Sequence, residues 1–98
     1  MRPNERNAAA AVLKAMAHPV RLGAIELLAD SEKTVSELFA ELDCSQSVMS
    51  SQLSILRTQG LITMRREGNV KYCSLRTRAF LQLFNCLESH IHDVLKID

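Results

Sequence analysis

The chain has 98 residues, 47% of them hydrophobic, with only 3 Gly, 2 Pro and a formal net charge of +1. That is the size of a single domain over residues 1–98, with short loops and a modest core that self-association would enlarge. There is no apolar run long enough for a bilayer, and Met1 to Ala11 carries Arg2, Glu5 and Arg6 without the apolar stretch of a secretion signal, so the expectation is a cytoplasmic protein with no membrane partner. Cys44, Cys73 and Cys86 are odd in number and far apart, against a disulfide framework or a paired-cysteine zinc knuckle.

The charge is divided along the chain. Leu22 to Cys44 sets Lys33 against Glu26, Asp30, Glu32, Glu37, Glu41 and Asp43, a balance of −5, whereas Ser45 to Arg78 sets six Lys and Arg against Glu67, a balance of +5. The second half is a candidate polyanion surface.

In chain order, a first helix is predicted from about Asn7 to Ala17, with Ala8, Val12, Ala15 and Met16 on one face. It stops near His18-Pro19, because a residue before proline avoids helical angles. Pro19 suits the first turn of a second helix that ends around Ala29 to Ser31 and buries Leu22, Ile25, Leu27 and Leu28. Thr34-Val35-Ser36-Glu37 is a capping box for a short third helix, Val35 to Leu42. Asp43-Cys44-Ser45 is a tight connection, and Ser45 caps a fourth helix whose Met49, Leu53 and Leu56 face inward. Gly60 fits the left-handed position that ends this helix. The period then changes to two: Ile62 and Met64 alternate with Thr63 and Arg65, Glu67-Gly68-Asn69 supplies a turn, and Val70 to Leu75 returns as a second strand. Thr77 to Ile97 closes the chain as a long helix with Phe80, Leu83, Phe84, Leu87, Ile91, Val94 and Leu95 at helical spacing. The fold class is mainly α with a two-stranded β-hairpin.

Two helices joined by a short turn, the second polar outside and followed by a basic hairpin, are what a protein needs to enter a major groove and grip the flanking backbone. With Met49 and Leu53 buried, Gln46, Ser47, Ser50, Ser51 and Gln52 are expected to face outward. Glutamine can pair with adenine N6 and N7, serine can serve a base edge or a phosphate, and the helix N-terminus favours an anion.

Leu13 to Leu22, with Ala17-His18-Pro19-Val20-Arg21-Leu22 at its end, then Ser36-Glu37-Leu38, Cys44 to Leu53, Leu56-Arg57, Gly60-Leu61-Ile62, Arg65-Arg66-Glu67-Gly68 and Tyr72 to Leu75 together resemble, in order and spacing, the ArsR/SmtB family of transcriptional repressors. The resemblance implies a winged helix-turn-helix that binds double-stranded DNA at an inverted repeat as a homodimer formed by the first and last helices, with a recognition helix over Ser45 to Gln59 and a wing over Ile62 to Leu75. Carried over by position, Gln46, Ser47, Ser50 and Gln52 reach bases, while Arg57, Arg65, Arg66 and Lys71 contact or steer toward phosphate. Ser51 stands where many relatives have a basic residue. Arg57 has an alternative role as partner to the acidic third helix. Roughly eight neutralised phosphates per dimer would make log affinity fall against log salt with a slope of about −7.

The resemblance also implies release of DNA by a metal or chemical signal. The thiolate site of the third helix would fall within Glu37 to Leu42, which has no cysteine. In the site of the last helix, the first ligand pair falls on Thr77 and Ala79, which do not ligate, and the second on His90 and Asp93. No cofactor is required by any motif, but zinc or another divalent metal could be held by His90, His92 and Asp93 with Glu88. A thiol switch is the rival. Cys44 immediately precedes the recognition helix and Cys86 lies on the last helix near the expected dimer contact. Asp43 opposes a thiolate at Cys44, the second helix lacks the partner cysteine of the family's thiol sensors, and Cys73 reads as a core residue. An enzyme is not expected, because no nucleophile stands with a base and an orienting group. The competing function is a winged-helix dimer that serves as a protein-interaction module without sequence-specific DNA binding.

Overall fold

The computed structural model describes Met1–Asp98 as five helices and a small sheet: α1 (Pro3–Met16), α2 (Pro19–Asp30), β1 (Lys33–Thr34), α3 (Val35–Glu41), α4 (Gln46–Thr58), β2 (Ile62–Glu67), β3 (Val70–Leu75) and α5 (Leu81–Asp93). No helix is long and apolar enough to cross a membrane.

Each boundary has a local cause. Helix α1 starts four residues before the apolar period does, because Pro3 stands in its first turn and the Glu5 carboxylate accepts the Arg2 backbone N–H at 2.9 Å. Between α1 and α2, His18 is extended at φ −158° and ψ 134°, as a residue before proline must be, and its Nδ1 accepts the Val20 N–H at 3.1 Å as the cap of α2. Thr34 and Glu37 form the expected reciprocal box at α3, at 3.1 and 3.0 Å. Helices α3 and α4 end in the same way. The N–H of Cys44 reaches the Phe39 carbonyl with Asp43 left-handed at φ 51°, and the N–H of Leu61 reaches the Leu56 carbonyl with Gly60 at φ 72°.

Strands β2 and β3 form the hairpin, in register from Ile62 opposite Leu75 to Glu67 opposite Val70. A third strand joins it. Lys33 and Thr34 pair antiparallel with Cys73 and Tyr72, giving the order β1-β3-β2. Two residues are too short to show alternation, and Thr34 already serves α3 as its cap. This edge anchors the hairpin to the segment that precedes the helix-turn-helix.

The core lies between α2, α3, α4 and the inner face of the hairpin: Ala24, Leu38, Met49, Leu53, Leu56 and Cys73 are wholly buried, with Ile25, Leu28 and Ile62 nearly so. Burial of this size, at about 1.5–3 kcal/mol per large side chain, fixes which face of α4 turns inward. Leu22 and Leu27 are only half-buried, and Ala8 is exposed. The last helix is shorter than predicted. Thr77 to Phe80 form a turn in which Thr77 Oγ1 accepts the Ala79 N–H and Arg78 donates to the Ala29 carbonyl at 2.7 Å, and Lys96, at φ 59°, stands in the turn beyond the helix. The apolar spacing runs on through both turns, which is why periodicity extends the helix too far. No residue of α5 is fully buried within the protomer.

Candidate nucleic-acid interface

Helix α4 presents two faces. Met49, Leu53 and Leu56 have no exposed surface, while Gln46, Ser47, Ser50, Ser51 and Ser54 are exposed on the outside. The N-terminus of the helix is capped by Ser45, whose Oγ accepts the Val48 N–H at 3.1 Å and lies 3.3 Å from Ser47 Oγ. Beside Gln46 and Ser50 opens a cleft of about 430 Å³ shared with Ser36 at the start of α3 and with Asn69, Lys71 and Tyr72 of the wing. Ser36, Ser54 and Asn69 are not among the DNA contacts expected from the sequence. Ser36 belongs to a capping box and Asn69 to a turn, so local chemistry accounts for both without reference to this cleft.

Gln52 departs from expectation. At about 100° per residue it lies about 160° around α4 from Ser50 and about 140° from Ser47. It is half-buried, and its Oε1 accepts a hydrogen bond from Nη1 of Arg21 on α2. It is therefore not part of the outward base-facing set. Recognising this from sequence required the full helical angle, because flanking an inward residue on one side does not place a side chain outside.

Arg65 is engaged within the protomer. Its guanidinium contacts Glu32 at 2.7 Å and Glu67 at 2.6 Å, and stacks 4.3 Å from the centre of the Tyr72 ring. Ser74 donates to the second Glu32 oxygen at 2.8 Å. Hydrogen bonds from Arg65 and then from Ser74 hold the Glu32 carboxyl below the usual glutamate range. Arg65 thus ties the wing to the connection between α2 and β1, and two carboxylates balance its charge. Arg57, Arg66 and Lys71 differ: none has a carboxylate within ion-pair distance. Arg66 gives one N–H to the Gly68 carbonyl at 3.1 Å. With Met64 and Arg65 these three line a shallow groove between α4 and the wing. The alternative partner for Arg57, an acid of α3, is not engaged.

The candidate sensing residues are scattered. Cys73 is in the core, where burial and then the Glu32 charge push its thiol up to about 11. Cys44 is half-buried between α3 and α4, and Cys86 is exposed on α5 in the protomer; all three are free thiols. His90, His92 and Asp93 occupy the exposed end of α5, and no three His, Cys, Asp or Glu side chains come together as a metal would require. His90 and His92, two positions apart on a helix, project about 160° apart. The residues of one protomer do not fit a metal.

A recognition helix with a polar outer face, packed on a preceding helix and flanked by a cationic β-wing, is the DNA-binding arrangement of a winged helix-turn-helix regulator. The sequence profile described as bacterial regulatory protein, arsR family, matches residues 18–64. The transcriptional activator HlyU of Vibrio cholerae is 39% identical over 88 residues, covering 85% of this chain and 82% of HlyU. Its structure superposes with a TM-score of 0.78 over 90% of this chain and 95% of that one. The biofilm growth-associated repressor of Agrobacterium fabrum is 47% identical over 59 residues, 60% of this chain and 50% of that repressor. The homodimeric winged helix-turn-helix DNA-binding domain Mb0332 of Mycobacterium bovis, 25% identical, superposes with a TM-score of 0.82 over 95% of this chain and 93% of that domain. The chain belongs to the ArsR family of bacterial regulatory proteins. Membership makes it a DNA-binding regulator of transcription, not an enzyme.

Proposed function

We propose that the protein binds an inverted-repeat operator in the cytoplasm as a homodimer and represses transcription from it. The observation that carries this reading is the conjunction of the outward Gln46, Ser47, Ser50 and Ser51 with Arg57, Arg66 and Lys71, three cations left without carboxylate partners beside them. The polar side chains supply hydrogen bonds for base edges and the cations neutralise the phosphates on either side. Dimerisation through α1 and α5 is supported by the apolar residues they leave in solvent: Leu13 is 51% exposed and Leu87 43%, with Val94 and Leu95 more so just beyond α5. A dimer seated on a promoter excludes polymerase, hence repression. The relative from Agrobacterium fabrum is itself named a repressor.

Fluorescence anisotropy on duplexes selected from a random pool tests binding. With Arg65 committed to the wing, six cations per dimer give an expected slope of log affinity against log salt of about −5. A slope near zero, or failure to enrich an inverted repeat, overturns the reading and favours the interaction module. Run-off transcription from a promoter carrying the selected site is expected to fall on addition of protein.

For release of the DNA, a thiol suits the protomer better than a metal, since no three ligating side chains come together in it. Cys44 adjoins the cap of α4, so an adduct there would disturb the start of the recognition helix.

A further inference from the structure

One guanidinium joins three helices. Arg21, in the first turn of α2, is half-buried; its Nε donates to the Ala15 carbonyl in the last turn of α1, and its Nη1 donates to Oε1 of Gln52 in the middle of α4. The Ala15 carbonyl needs such a donor. In a continuing helix its acceptor site would go to the N–H four residues on, but that residue is Pro19, which has none. A cation at this end of α1 is also favoured by the helix dipole. The same fork then reaches Gln52, whose angle on α4 takes it away from the outward face. Arg21 has no carboxylate partner, so both of its contacts are to neutral oxygens.

We infer that Arg21 and Gln52 are positioning residues: together they fix the orientation of the recognition helix relative to α1, and through it the separation of the two recognition helices in the dimer. The inference rests on the proposed homodimer on an inverted repeat. Around this junction α1 contributes only Ala15 and Met16 to the fully buried core, with Val12 partly buried against it, and such small or flexible side chains resist a rotation poorly. A planar fork with two fixed N–H directions does. In a two-fold dimer, a rotation of α4 against α1 is repeated in the partner with opposite sense, so its effect on half-site separation is doubled. A rigid link therefore rejects operators whose half-sites are wrongly spaced. A loose link tolerates them while leaving the groove and phosphate contacts of each half intact.

The test measures affinity for a series of duplexes built on the selected inverted repeat, with the spacer lengthened or shortened by one and two base pairs. For the wild-type protein each one-base-pair change is expected to cost about tenfold, at least the cost of a mismatch. In Arg21→Met, which keeps an apolar stem and loses both hydrogen bonds, the spread across the series is expected to shrink to about threefold, with affinity for random DNA unchanged within about twofold. Gln52→Met cuts only the α4 leg, leaves the Ala15 carbonyl satisfied, and is expected to flatten the profile in the same way. Arg21→Lys keeps one donor and restores part of the discrimination. Circular dichroism and sedimentation establish that each variant is a folded dimer. A Gln52→Met variant that is folded and keeps the wild-type spacing profile overturns the inference, whatever becomes of Arg21→Met. A wild-type protein that selects no inverted repeat overturns the proposed function, and this inference with it.

Discussion

Arg65 on β2 and Glu32 in the connection between α2 and β1 face each other with two parallel contacts, Nη2 to Oε1 at 2.7 Å and Nε to Oε2 at 3.3 Å. The pair crosses from the outer strand of the wing to the body of the domain. Ser74 of the middle strand holds the same carboxylate. Glu32, an acid in the negative half of the chain, thus uses one cation of the positive half to set the angle of the wing. The Tyr72 face under the guanidinium limits its sideways movement.

Replacement of Glu32 by alanine is expected to leave the helical body folded and to loosen the wing. Because the carboxyl is held below its ordinary range in the folded protein, its contribution is complete above about pH 4.3, the value of a free glutamate, and disappears as pH falls through the lowered value. The melting temperatures of wild type and Glu32→Ala should therefore differ at pH 7 and draw together as pH falls below the range of a free glutamate. Equal melting temperatures at pH 7 would show the pair to be dispensable. Because the pair is solvent-exposed, added salt should narrow the difference.

Much of this arrangement was legible in the sequence, for identifiable reasons. Met49, Leu53 and Leu56 recur at helical spacing between a Ser45 cap and a Gly60 terminator, so α4, its inward face and its ends all follow from local rules. Charge division pointed to the face that carries Arg57, Arg66 and Lys71. What was hidden depends on contacts between distant residues. Arg65 and Glu32 are 33 positions apart, and nothing in either neighbourhood says that one neutralises the other. Arg21 and Gln52 are likewise joined only by the packing of α2 on α4. Strand β1 escaped because its partner is needed to define it, and α5 was overextended because apolar residues continue through its flanking turns.

Asp43 occupies the left-handed position that ends α3, at φ 51°. A side chain there costs about 1–2 kcal/mol, softened for Asp by its tolerance of this region and offset by the greater chain entropy of an unfolded glycine. Asp43→Gly is expected to raise stability by about 0.5 kcal/mol, or roughly 2–4 °C in melting temperature. Asp43→Val should lower it. Thermal unfolding of the two variants at one protein concentration decides the sign.

The three cysteines should separate by reactivity. Cys73 has no exposed surface and a thiol pushed up to about 11, so at pH 8 only about one thiol in a thousand is ionised. Brief treatment of the native protein with iodoacetamide, read by peptide mass, should modify Cys44 and Cys86 and spare Cys73. If the dimer contact covers Cys86, its labelling should fall as protein concentration rises through the dimer constant. Loss of DNA binding on mild oxidation, retained in Cys44→Ser, would locate the switch away from the recognition helix.

Base reading and phosphate binding separate at Gln46 and Arg66. Gln46 is exposed in the first turn of α4 and opens on the cleft with Lys71, so its amide can meet a base edge. Its loss should cost about 1–3 kcal/mol on the selected operator and little on random DNA. Arg66 lies on the wing with one N–H given to Gly68 and the rest of its fork free. Arg66→Ala should weaken both DNAs alike and make the salt slope shallower by about 2 per dimer, one counterion for each protomer. Anisotropy titrations of both variants at four salt concentrations give all of these quantities. Equal losses of Gln46→Ala on operator and random DNA would remove it from the reading face, leaving Ser47, Ser50 and Ser51 to carry specificity through single hydrogen bonds and the shape of the groove.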